Sequence, residues 1–232
     1  MQPRVVISWS SGKDSAWTLH VLRQQEVNVV ALLTTFNEGA NRVAMHAVRR
    51  QLVEQQAAAI GLPLWPVLLP EHCSNEEYEN RMLIAIERAK KEGVTHVAFG
   101  DLFLQEIRDY RVRQLAPTEI RPLFPLWCSA GETPTLAHKM IANGLKAVIT
   151  CVDAKQLSPI FLGRTFDESL LADLPPTVDP CGERGEFHTL CFAGPMFADP
   201  LQISLGHLVS RDEFHFVDVI AESTALHPTE DA

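Results

Sequence analysis

The feature that most constrains this chain is the passage from residue 4 to residue 26. Arg4-Val-Val-Ile-Ser8 is a short β-branched run of the kind that forms a strand buried on both faces. It runs through the turn Trp9-Ser10-Ser11-Gly12-Lys13-Asp14 into an amphipathic segment, 15–26, that reads as a helix. The same rhythm continues downstream. Strands are expected at 27–36, 62–70 and 94–101, and helices at 44–61, 75–93 and 104–116. A helix over 133–144, stopped by Gly144, leads to an expected fifth strand at 145–153. Alternation of this kind implies parallel strands joined by right-handed helical crossovers. The expected fold class is therefore α/β: a Rossmann-like parallel five-stranded sheet with helices on both faces. Ligands of such sheets lie outside the C-terminal strand ends, and the loop of residues 9–15 is at that position.

From about residue 156 the rhythm breaks. The stretch 166–197 is rich in Pro, Gly and Asp, and 202–210 with 213–222 reads as a hairpin turning near Arg211-Asp212. The expected division is a parallel α/β domain over 1–155 that carries the loop of residues 9–15, a small α+β subdomain over 156–221, and a mobile polar tail over 222–232. Composition narrows the function classes. At 46% hydrophobic residues the 232-residue chain is able to bury a sizeable core. Its net charge of -9 disfavours broad binding to nucleic acid. Five cysteines without a Cys-x-x-Cys pair fit reduced thiols in a cytoplasmic protein, and no apolar run is long enough for a signal peptide or a membrane span.

The turn after the first strand resembles a Walker phosphate loop only superficially, because Asp14 rather than Ser or Thr follows Lys13, and Ile7 stands where such a loop needs its first glycine. It still suits an anion. Backbone N–H groups at a helix start converge on one spot, Ser10, Ser11 and Ser15 add hydroxyls, Gly12 permits close approach, and Lys13 adds a full charge. Asp14 suits a magnesium ion, which prefers a carboxylate together with phosphate oxygens. An ordinary helix N-cap is the competing account of the same residues.

The stretch Ser10–Ser15 resembles the SGGKDS loop of the PP-loop ATP pyrophosphatases, with Ser11 where glycine is usual. Met45-His46 matches the Met-His pair that this group carries beside its nucleotide, and Gly100-Asp101 matches its Gly-Asp motif. Residues 179–190, Asp-Pro-Cys-Gly-Glu-Arg-Gly-Glu-Phe-His-Thr-Leu, are similar to the DxCGExGExHT motif of the diphthine–ammonia ligase family, and Gly194-Pro-Met-Phe197 follows as it does there. The likeness spans about residues 4–200. It implies an adenine nucleotide alpha hydrolase-like domain that cleaves MgATP between the α and β phosphates. Ser10, Ser11, Gly12, Lys13, Asp14 and Ser15 would lie on the phosphates, with Met45, His46, Gly100 and Asp101 also at the nucleotide and adenine near the end of the second strand. Asp14 would hold Mg2+. The implied partners are ATP, ammonia and a carboxylate acceptor, which in the family is diphthine on elongation factor 2. A homodimer is compatible with this reading.

Lys13, Asp14, Glu183 and Glu186 are the expected catalytic residues. Glu183 and Glu186, bracketed by glycines, could orient ammonia, bind a cationic group or take a proton; solvated carboxylates on a structural loop are the plain alternative. Cys181 reads more safely as a small buried residue than as a nucleophile, and Trp9 as a core aromatic. His188 would share a strand face with Glu186. Arg108, Arg111, Arg113 and Arg121 either neutralise phosphates, meet an acidic partner, or form a solvated helix face that pairs with Glu106 and Asp109. Two other functions stay open beside the ligase: another PP-loop chemistry, on RNA or a small molecule, and a nucleotide sensor without turnover.

Overall fold

The structure is a computed structural model that describes residues 2–43 and 46–222. Met45 and residues 223–232 of the expected tail lie outside the described residues.

Five parallel strands form the first sheet: β1 (Arg4–Ser8), β2 (Asn28–Asn37), β4 (Leu64–Leu69), β5 (His96–Ala98) and β6 (Arg121–Leu123). Their order is β4-β2-β1-β5-β6, and a short antiparallel strand, β3 (Arg42–Val43), pairs with the far end of β2. Both outermost parallel strands contain a proline, Pro66 in β4 and Pro122 in β6. Proline lacks the N–H that an inner strand must share with two neighbours, so it is tolerated at an edge. β1 pairs with β2 on one side and β5 on the other, so the strand order reverses beside it and opens a crevice at its C-terminal end.

Alternation along β1 divides the core. Val5 and Ile7 point into one apolar cluster with α1 (Lys13–Gln24) and α2 (Arg50–Ile60); Val6 points into a second, beneath α3 (Asn75–Lys91) and near α4 (Gln105–Leu115). The long α3 starts on Ser74, whose hydroxyl accepts the Glu77 N–H, and ends on Arg88, Lys90 and Lys91, as the helix dipole favours.

A second, antiparallel sheet has the order β8-β7-β10-β9, built from β7 (Lys146–Asp153), β8 (Phe187–Ala193), β9 (Ile203–Arg211) and β10 (Phe214–Ala221). It follows α5 (Thr133–Ala142), and a short α6 (Glu168–Asp173) lies between β7 and β8. The expected hairpin is present, turning at Asp212, whose φ is +53°. The strand expected fifth in the parallel sheet is β7, but it belongs to the antiparallel sheet. It lies between β8 and β10, while β6 takes the place beside β5. A strand buried on both faces has the same apolar run in either kind of sheet, so its sequence could not tell them apart. The helix expected over 44–61 begins only at Arg50, because Val43 N–H donates to the Val48 carbonyl and Arg49 pairs with Arg42 of β3.

The two sheets are joined by an ion cluster. Asp218 on β10 accepts hydrogen bonds from Arg42 on β3 and from Arg49 just before α2. Those hydrogen bonds pull its carboxyl down to about 2.

Candidate active site

The loop after β1 is clamped from behind by the second sheet. Cys191 N–H on β8 donates to the Ser11 carbonyl at 2.9 Å, and Lys13 N–H donates to Thr189 Oγ1 at 3.1 Å. Gln56, 0% exposed, bridges the same parts: its Nε2 donates to the carbonyls of Ser11 and Cys191, and its Oε1 accepts from Trp9 Nε1 at 2.8 Å. Trp9 is thus a core aromatic. Ser11 has φ +71°, the left-handed region that costs a non-glycine residue about 1–2 kcal/mol, which is why glycine suits this place in similar loops. Its hydroxyl is buried without a hydrogen-bond partner among the described residues. Gly12 precedes α1 with no side-chain cap, so the N–H groups of Asp14 and Ser15 have no acceptor within the helix. This is the anion-binding end of a helix dipole.

Lys13 does not reach out to solvent. Its side chain is 2% exposed, its ammonium donates to both Asp14 oxygens (3.0 and 2.9 Å) and to the Cys181 carbonyl, and it lies 5.5 Å from the rings of Phe166 and Phe187. Burial opposes the charge, but the attraction of Asp14 outweighs it, so the ammonium stays protonated.

Gly100, at the exit of β5, rests on this loop. A Cβ there would stand 3.0 Å from the Asp14 carbonyl carbon and 3.1 Å from Ser15 N, both backbone atoms, so the start of α1 would have to shift to admit it. Asp101 follows, raised by burial against the pull of Arg111, whose Nε is 3.5 Å away. The next residue, Leu102, donates its N–H to Glu183 Oε1 at 2.8 Å, and this ties the glycine-bracketed loop of the second sheet to the parallel one.

These elements enclose a polar cavity of about 240 Å³. Ser10, Lys13, Asp14, Ser15, His46, Gly100, Asp101 and Glu183 all line it, so most of the residues singled out from the sequence converge. Ser11 and Gly12 lie behind, in the loop itself. Burial pushes the Glu183 carboxyl up to about 7, against the Leu102 N–H and helped by Asp14. His188 also faces the cavity, held neutral by burial and the nearby Lys13, its value brought down to about 4; its ring centroid is 4.5 Å from that of His46.

Glu186 is placed differently from Glu183. It is 1% exposed, and its two oxygens accept the backbone N–H groups of Asp179 (2.8 Å) and Arg184 (2.9 Å). It holds the loop's shape. Cys181 is buried as well; burial pushes its thiol up, away from nucleophile chemistry. Of the four arginines, Arg111 enters the cavity wall, whereas Arg108 lies over the ring of Trp127 at 4.5 Å. Sequence reasoning missed Gln56 and Thr189. Thr189 stands within the Phe-His-Thr motif, but no local pattern marks Gln56, whose role comes from three distant partners.

No group of three or more His, Cys, Asp or Glu side chains that could hold a metal occurs among the described residues. Magnesium bound with a nucleotide needs only one or two protein carboxylates beside phosphate oxygens, and Asp14, lining the cavity at the helix start, fits that donor set. No helix among the described residues is long and apolar enough to cross a membrane.

A second cavity, of about 220 Å³, adjoins the first on the α3–α4 side of the sheet. It is lined mainly by apolar and aromatic side chains, among them Leu33, Tyr78, Met82, Val97 and Tyr110.

Two family profiles match the chain: one described as the diphthamide synthase N-terminal domain over residues 3–115, the other as the diphthamide synthase C-terminal domain over residues 132–223. No curated protein matches it.

Proposed function

The chain belongs to the diphthamide synthase family, and from that premise and the cavity geometry we propose that it is an ATP-dependent amide ligase of the diphthine–ammonia ligase type. The observation that carries the proposal is the convergence of Ser10, Lys13, Asp14, Ser15, Gly100, Asp101 and Glu183 on one polar cavity at the crevice beside β1.

In this reading the triphosphate lies against the N-terminus of α1, where free N–H groups, the serine hydroxyls and the Lys13 charge face it. The base enters the apolar cavity that Leu33 of β2 helps to line. A carboxylate oxygen of the acceptor attacks the α-phosphorus; the bond to the bridging oxygen of the β-phosphate breaks, and pyrophosphate leaves. Ammonia then attacks the acyl carbon and AMP departs in place of oxide, a far poorer leaving group. Magnesium, held by Asp14 and phosphate oxygens, would neutralise charge on the departing pyrophosphate. Glu183 is the group suited to take the proton that the attacking nitrogen loses, since a carboxyl near neutrality is both free to accept it and close in basicity. Glu186 positions Glu183 by fixing the loop. Diphthine on elongation factor 2 is the acceptor that this family suggests.

Product analysis tests the reaction class. With MgATP, an ammonium salt and the acceptor, chromatography is expected to show AMP and pyrophosphate; ADP and phosphate would exclude this mechanism. Lys13→Ala is expected to lower turnover on the order of 100-fold, the usual scale for one lost charge at a developing anion.

A further inference from the structure

We propose that Asp101 and Arg111 together form a reader of a ribose hydroxyl, so that the site selects ribonucleotides over deoxyribonucleotides. The inference rests on the placement of the nucleotide proposed above and adds to it a specificity that no phosphate contact supplies.

Ser8, Phe99 and Arg111 line both the apolar cavity and the polar one, and so mark their junction. A nucleotide with its base in the first and its phosphates in the second has its sugar at that junction. Arg111 Nε there faces Asp101 Oδ2, on the polar-cavity side, at 3.5 Å, too far for a good hydrogen bond. Both atoms are buried, and neither has a hydrogen-bond partner among the described residues. Native proteins seldom leave a buried donor and a buried acceptor side by side in this state, because each unsatisfied group costs about 1–3 kcal/mol. The guanidinium is held in place by the Phe99 ring beneath it, 4.9 Å from the ring centroid.

The chemistry of the pair selects its ligand. A phosphate oxygen would accept from Arg111 but meet Asp101 as a second acceptor. An amine would donate to Asp101 and leave Arg111 unsatisfied. A hydroxyl does both at once, donating to Oδ2 and accepting from Nε. A site built this way rejects an analogue that lacks the hydroxyl, since Oδ2 and Nε then keep only their own 3.5 Å ion pair and no good hydrogen bond.

The test is calorimetric titration of the full-length protein with the magnesium complexes of ATP, 2′-deoxy-ATP and 3′-deoxy-ATP. ATP is expected to bind, and removal of one of the two hydroxyls is expected to weaken binding about 10- to 100-fold, the range for a hydrogen bond to charged partners. In Asp101→Ala that difference is expected to fall to within about 3-fold, because the hydroxyl no longer has its charged acceptor. A general loss of structure would lower all three affinities without changing their ratio. The wild-type titrations decide the matter alone if the variant fails to fold. Equal binding of all three nucleotides by the wild-type protein would overturn the hydroxyl reader while leaving the nucleotide site intact. Failure of ATP itself to bind would overturn both.

Discussion

Glu183 and Glu186 stand three residues apart in one motif and do different things. Glu183 faces the cavity with one backbone donor, while Glu186 is buried under two. In the ligase reading, Glu183→Gln is expected to keep ATP binding and to lose most acceptor-dependent AMP formation. Glu186→Gln is expected to act through stability instead. The amide nitrogen cannot accept, so one buried N–H loses its partner at a cost of about 1–3 kcal/mol, visible in a thermal melt. Glu183 also has a pH signature. Its carboxyl is raised to about 7 in the folded protein, so the folded state holds that proton more tightly than the unfolded chain does. The resulting stability is present at low pH and is lost as pH rises through 7. A glutamine is neutral throughout. Glu183→Gln is therefore expected to be the more stable protein at pH 8, by about 1–2 kcal/mol after allowance for partial exposure, with the gap closing toward pH 4. A gap that instead widened on acidification would show that Glu183 is ionised at neutral pH and has no raised proton affinity. The motif named both residues from sequence, but which one faces the cavity depends on the turn between them, where Gly182 and Gly185 take φ of +70° and +82°.

Strands and helices were legible wherever a long periodic run ended in a clear signal. α3, with its Ser74 cap and basic end, and the β9–β10 hairpin follow the expected lines. Short elements were not legible. β6 is three residues with a central proline, which argues against a strand unless the edge position is already known. β7 went to the second sheet because its apolar run records burial and not the direction of its neighbours. The start of α2 was hidden because Arg42 and Arg49 are drawn to Asp218, 176 and 169 residues away in sequence. That ion cluster makes its own prediction. The Asp218 carboxyl is depressed to about 2, so its contribution is present above its ordinary carboxylate value and is lost as pH falls through 2. Asp218→Asn is expected to cost on the order of 1 kcal/mol at pH 7 in urea denaturation, a discounted figure for a cluster with exposed arginines. The difference from the wild-type protein should shrink as the pH approaches 2; a difference constant down to that pH would mean that the charge is not what joins the sheets.

At the scale of the whole molecule, the second sheet completes the crevice beside β1 of the first. Thr189, Cys191 and the Cys181 carbonyl hold the loop and its lysine from one side, and Glu183 closes onto Leu102 from the other. The loop of residues 9–15 was readable from its own seven residues of sequence. The wall opposite it was not, because it is assembled from β8 and the loop before it, about 170 residues downstream. The most direct test of the account is a crystal structure with magnesium and α,β-methylene-ATP, which lacks the bond expected to break. The triphosphate is predicted to lie against residues 10–15, with Asp14 on the metal and the base in the cavity lined by Leu33 and Tyr78. A nucleotide bound elsewhere, with residues 10–15 making no contact to it, would contradict the account.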